Sequence, residues 1–230
     1  MLSELSTVLG SVAMLAPRTA YSHAIIEENC LGKPTVSTRR LTNQRLGELY
    51  ALDAQVPLFR VLQKLWRSDE QGRPLLAVLC ALARDPLLMT TASAVILIPP
   101  DVEFGRGPVK DALRSKVGTR LNDAILDKVV RNVASSWTQS GHLQGRTFKI
   151  RRRVRATPAS LALALYLGHA AGLRGNELLA SGWIAVLDCS ISTAQELALD
   201  AKRRGLIDLR IGGDVLELNL ERLDPSGVKG

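Results

Sequence analysis

Residues 192–220 read STAQELALDAKRRGLIDLRIGGDVLELNL. Ala194, Leu197, Ala198 and Ala201 recur at helical spacing, and Lys202, Arg203, Arg204 and Gly205 supply the cationic, glycine-closed end that a helix C-terminus favours. Ile207, Leu209 and Ile211, then Leu216, Leu218 and Leu220, alternate strictly on either side of Gly212-Gly213-Asp214. That pattern predicts a β-hairpin. Helix, glycine, hairpin is the back half of a winged helix-turn-helix, with residues 177–187 as the helix before it. The helix that would read DNA turns Gln195, Glu196, Leu199 and Asp200 outward, which is not a groove-seeking surface. A structural or protein-contact role suits this unit better.

Working back along the chain, the same order recurs: helices over 109–117 and 122–140, Gly141, then extended pieces over 143–147 and 149–155. Here the charge is concentrated. Residues 146–155, RTFKIRRRVR, hold six positive charges and no negative one. Residues 104–155 hold thirteen Lys/Arg against three Asp/Glu, a net of +10 where the whole chain is +8. Such a concentration points to a polyanionic partner. As a strand, the run sets Arg151, Arg153 and Arg155 on one face at about 6.6 Å spacing, a ridge able to follow one phosphate strand. The other reading is a solvated edge strand blocking aggregation, for which one or two charges suffice. Arg146, Lys149 and Arg152 belong to the same run; Lys110, Arg114 and Lys116 on the preceding helix, with Lys128 and Arg131 on the next, widen the patch.

The first hundred residues read as helices over 3–16, 19–29, about 37–52, 58–67 and 75–83. Leu41, Leu46, Leu49 and Tyr50 fall on the inner side of the third, and the continuously apolar fifth is expected at the centre of the core. The fold class is therefore mainly α: a helical N-terminal bundle (1–103), then two winged-helix-like units with short β-hairpins (104–157 and 158–230). Aromatic residues make up only 4% of the chain, which disfavours binders that stack single-stranded bases. Cys30, Cys80 and Cys189 are scattered and read as free thiols, and His23, His142 and His169 stand apart from them, so no zinc spacing exists. His169, in an apolar helix, and Trp66, Trp137 and Trp183 read as core residues. No catalytic motif or cofactor site is present, so an enzyme is not expected. The apolar runs 86–100 and 159–173 fall short of the roughly 20 residues of a membrane span, and Glu4 sits where a signal peptide would be basic. A cytoplasmic address is expected.

A second basic element is Thr35-x-Ser37-Thr38-Arg39-Arg40. Ser37 or Thr38 is a good N-cap, and arginines in the first turn oppose the helix dipole at a cost of a few tenths of a kcal/mol each. A bound phosphate would reverse that cost; equally, Arg39 or Arg40 could pair with Glu27 or Glu28. The stretch 25–40, IIEENCLGKPTVSTRR, continuing to Arg45-Leu46 and Leu49-Tyr50, resembles the early signature of the BrxA family of bacterial and archaeal BREX phage-defence systems. The resemblance implies a non-enzymatic, double-stranded-DNA-binding accessory protein with winged-helix parts and a bundle similar to the NusB antitermination fold. By matching motif it carries over Thr35, Ser37, Thr38, Arg39, Arg40 and Arg45. The expected partner is double-stranded DNA, gripped through its phosphates with low sequence specificity. The alternatives are a scaffold docking acidic proteins of the same defence system, or a winged-helix repressor.

Overall fold

Every residue from 75 to 82 is buried, and the helix they form is the axis of the molecule. The structure, a computed structural model, describes residues 1–212 and 215–225. Its elements are mainly helical: α1 (Leu2–Ser11), α2 (Arg18–Ile26), α3 (Val36–Tyr50), α4 (Pro57–Ser68), α5 (Arg73–Arg84), α6 (Pro86–Thr90), α7 (Ala92–Ile96), α8 (Arg106–Val117), α9 (Asp123–Gln139), α10 (Pro158–Ala170), α11 (Gly182–Ala185) and α12 (Ile191–Arg203). Two antiparallel pairs accompany them among the described residues, β1 (Leu143–Gln144) with β2 (Ile150–Arg151) and β3 (Asp208–Gly212) with β4 (Val215–Asn219). No described helix is long and apolar enough to cross a membrane.

The apolar run that begins at Leu75 forms α5, which opens with Pro74 in its first turn, where the missing N–H is no loss. It packs against α3, α4, α6, α9 and α10. The second all-round apolar helix, α10, starts at a capping box: Thr157 Oγ1 accepts from the Ser160 N–H, and Ser160 Oγ accepts from the Thr157 N–H at 2.8 Å. Helices apolar on every face must be covered on every face. Accordingly α10 is enclosed by α4, α5, α11 and α12, and one buried cluster runs from Leu5 to Leu223 through all three segments of the chain.

The hairpin expected at 207–220 forms as β3 and β4, with Leu209 opposite Leu218 and Gly212 opposite Val215. Of its turn, Gly213 and Asp214 lie outside the described residues. The helix expected over 177–187 is replaced by a 3-10 turn at Gly175–Leu178 and the four-residue α11. Ser181-Gly182, a pair with weak helical preference, marks the break, with Ser181 as N-cap of α11 and its carbonyl as the first acceptor of the new helix. In the third helix Leu46 and Tyr50 are buried as expected, but Leu41 is 54% exposed. The buried stripe there is Thr42, Leu46 and Tyr50, at i, i+4 and i+8.

Around the basic segment the chain order is α6 and α7, an extended stretch, α8, α9, then β1 and β2. The stretch pairs with β2: Asp101 N–H donates to Arg151 O at 2.8 Å, Arg151 N–H to Val102 O at 2.9 Å, and Phe104 N–H to Lys149 O at 2.7 Å. The second strand of the hairpin, β2, is thus flanked by β1 on one side and residues 101–104 on the other.

Candidate nucleic-acid interface

Arg151 is 1% exposed and turns inward. Its Nη2 donates to Asp188 Oδ1 at 2.5 Å, its Nη1 to Asp188 Oδ2 at 3.1 Å and its Nε to the Val95 carbonyl at 3.2 Å. Asp188 Oδ2 also accepts the Val154 N–H at 2.9 Å. The expected ridge of Arg151, Arg153 and Arg155 is therefore corrected. The strand covers only Ile150–Arg151, and the one arginine within it is occupied by the partly buried Asp188 carboxylate 37 positions on. A guanidinium removed from water needs such a partner, and here it finds a bidentate one. Arg153 and Arg155 lie beyond the strand, exposed and without an ion-pair partner among the described residues.

A second buried link holds the hairpin to the same turn. His142 stacks edge-on against Trp137 at 4.8 Å, with Nε2 at 2.7 Å from the Val186 carbonyl and Nδ1 at 2.8 Å from Ser140 Oγ. The carbonyl can only accept, so Nε2 carries the proton. Burial pushes the pKa of this ring down to about 4. The unfolded chain takes up that proton near pH 6.5, so stability should hold above about 6.5 and fall as pH drops towards 4, by up to about 3 kcal/mol. Urea midpoints at pH 7 and 4.5 check this; His142→Gln should show a clearly smaller loss between the two. His169, expected in the core, is instead half-buried near the end of α10, with its carbonyl taken by Arg174.

Four of the thirteen cations in 104–155 are ion-paired. Arg151 meets Asp188, Arg152 meets Asp101, Lys110 meets Asp127 at 2.8 Å, and Arg114 meets Asp123 at 2.6 Å. The Asp127 hydrogen bond raises the pKa of Lys110, and the same bond lowers that of Asp127. Lys110 and Arg114, expected in the patch, are thus turned towards α9 carboxylates. For the other nine no carboxylate lies in ion-pair range among the described residues: Arg106, Lys116, Arg120, Lys128, Arg131, Arg146, Lys149, Arg153 and Arg155.

On α9 the buried stripe is Leu126, Val130, Val133, Ala134 and Trp137. Lys128, Arg131, Asn132 and Ser135 are exposed. Residues 128, 131, 135 and 138 fall at helical spacing on one face. At the far end of that face Thr138 Oγ1 accepts from Lys149 Nζ at 2.8 Å. Lys149 also donates to the Gly145 carbonyl at 3.0 Å, so the loop 145–149 is fastened to the end of the stripe. Arg106, Lys110, Asp127 and Arg131 line one depression between α8 and α9. Gly145 has φ +117°, and a Cβ there would lie 2.1 Å from the Phe148 carbonyl oxygen. Gly145→Ala should therefore open the loop at a cost of about 1–3 kcal/mol, read as a lower urea midpoint; an unchanged midpoint would mean the loop relaxes freely.

The N-terminal motif serves α2 and α3. Thr35, not Ser37 or Thr38, is the N-cap, its Oγ1 accepting the Thr38 N–H at 3.2 Å. Thr38 Oγ1 lies 2.8 Å from that hydroxyl. Arg39 Nη1 donates to the Ile26 carbonyl at 2.7 Å, satisfying the open end of α2 rather than Glu27 or Glu28. Arg45 pairs with Glu48 at 3.0 Å, and Ser37 and Arg40 stand exposed. The hydrogen bonds and ion pairs of this motif run to α2 and within α3, not to the face of α9. Asn132, Ser135 and the exposed Phe148 were not among the expected site residues; the visible signal for the last is an aromatic between Arg146 and Lys149, three residues after Gly145. No group of three His, Cys, Asp or Glu side chains is placed to hold a metal among the described residues. No family model, curated protein or solved structure matches the chain.

Proposed function

We propose that this chain is a non-enzymatic, double-stranded-DNA-binding protein that grips the phosphate backbone through α9 and the 143–151 hairpin. One observation carries the reading: the exposed Lys128, Arg131, Asn132, Ser135 face of α9 runs directly into a hairpin loop bearing Arg146, with no carboxylate anywhere in residues 141–155. In this reading the order of helix, extended segment, two helices and hairpin is a winged helix-turn-helix, with α9 lying in the major groove and the hairpin as its wing. Lys128 and Arg131 on that face, with Arg146 on the loop, outnumber Asn132 and Ser135, so the grip positions the protein without strong sequence choice. Membership of the BrxA family, and with it service in phage defence, is part of the same proposal and rests on the motif at 25–50.

Anisotropy titrations of fluorescent duplex DNA, single-stranded DNA and duplex RNA at several salt concentrations test it. Random-sequence duplex DNA should bind most tightly of the three. Equal binding of all three would reduce the site to non-selective charge attraction.

A second reading, docking to partner proteins of the same system, has its support on α12. Ile191 and Leu199 are both exposed there at i and i+8, and the same face shows no excess of positive charge. The C-terminal hairpin packs on α12 and on the 3-10 turn, which suits a structural unit that presents this helix.

A further inference from the structure

Phe148 is 71% exposed at the tip of the first hairpin, the most exposed aromatic side chain among the described residues. An aromatic ring left in water is ordinary on a floppy loop, but this loop is built to hold it out. Gly145 adopts a backbone that only glycine takes easily and lets the chain fold back against the Phe148 carbonyl, while Lys149 clamps the loop's two sides through Gly145 and Thr138. Its flanks are Arg146 and Lys149, and no acid occurs between residues 141 and 155. An apolar protein groove would find no reason for that charge; a nucleic-acid groove would.

From this we infer that Phe148 is a wedge that enters the minor groove of duplex DNA and partly unstacks one base step, bending the duplex while Arg146 and Lys149 hold the flanking phosphates. The inference rests on the DNA-binding reading above and adds to it a point of insertion and a deformation. A hairpin tip fits the minor groove, about 6 Å wide, better than a helix does. Apolar side chains between flanking cations are the means by which minor-groove proteins kink DNA, preferentially at flexible pyrimidine–purine steps. That preference would give a weak choice of site without hydrogen bonds to bases.

The test uses the full chain and a duplex carrying 2-aminopurine beside a central TA step, with donor and acceptor dyes at its ends. The wild type should raise the 2-aminopurine emission and shorten the end-to-end distance. Phe148→Ala should abolish both, weaken binding about tenfold and leave the salt dependence unchanged, since no charge is lost. Phe148→Leu, still an apolar wedge, should retain most of the bend. Wild-type binding without unstacking or bending overturns the wedge alone, as does a Phe148→Ala protein that bends DNA like the wild type. Failure of the wild type to bind any duplex overturns the DNA reading and the wedge with it.

Discussion

Replacing Asp188 by Asn should destabilise the protein by about 3–5 kcal/mol, because it leaves the Arg151 guanidinium buried and uncompensated. Asn is the informative replacement, since Asp188 sits at φ +54°, where Asn is among the few tolerant residues. Backbone strain therefore stays constant and the measured loss reports the missing charge. It also weakens the acceptor of the Val154 N–H, so the segment leaving β2 should loosen with it. Adding Arg151→Met to Asp188→Asn removes the stranded cation and should recover much of the loss, as apolar replacements of buried ion pairs often do. Urea unfolding of the two variants checks both statements. A loss below 1 kcal/mol in Asp188→Asn would show that Arg151 reaches water after all.

The second large effect concerns binding. Replacing Lys128, Arg131, Arg146 and Arg153 together by Gln should lower affinity for duplex DNA about a thousandfold at 0.1 M salt, if each contributes one phosphate contact. None of the four has an ion-pair partner among the described residues, so stability should change little. The matching control is Lys110→Gln with Arg114→Gln, whose charges are already met by Asp127 and Asp123. That pair should cost far less affinity than the quadruple variant. Arg151 belongs in neither set, because its loss would act through folding.

Much of this fold is legible in the residues. Continuous apolarity marked the central helix at 75–83, and strict alternation marked the hairpin of β3 and β4. Local patterns of this kind report what neighbouring residues do. The errors share the opposite cause. Arg151 reads as one of a row of surface charges because its partner is 37 residues away, and only the tertiary fold brings Asp188 beneath it. Lys110 and Arg114 mislead for the same reason at shorter range: α8 and α9 fold back on each other and bring Asp123 and Asp127 to them. Among the histidines, His169 sits in an apolar helix yet near its exposed end, while His142, in a polar stretch, is buried against Trp137. The nine cations of 104–155 that lack an ion-pair partner among the described residues are spread over α8, the turn after it, α9 and residues 146–155, fewer and partly different side chains than a straight strand would offer.

The most direct measurement is the salt dependence of duplex binding, taken side by side for the wild type and the Lys128, Arg131, Arg146, Arg153 variant. With about six phosphates neutralised, log K against log salt should have a slope near −5 for the wild type and about −1.5 for the variant. Equal slopes in the two proteins, or a wild-type affinity indifferent to salt, would contradict a phosphate grip by α9 and its hairpin.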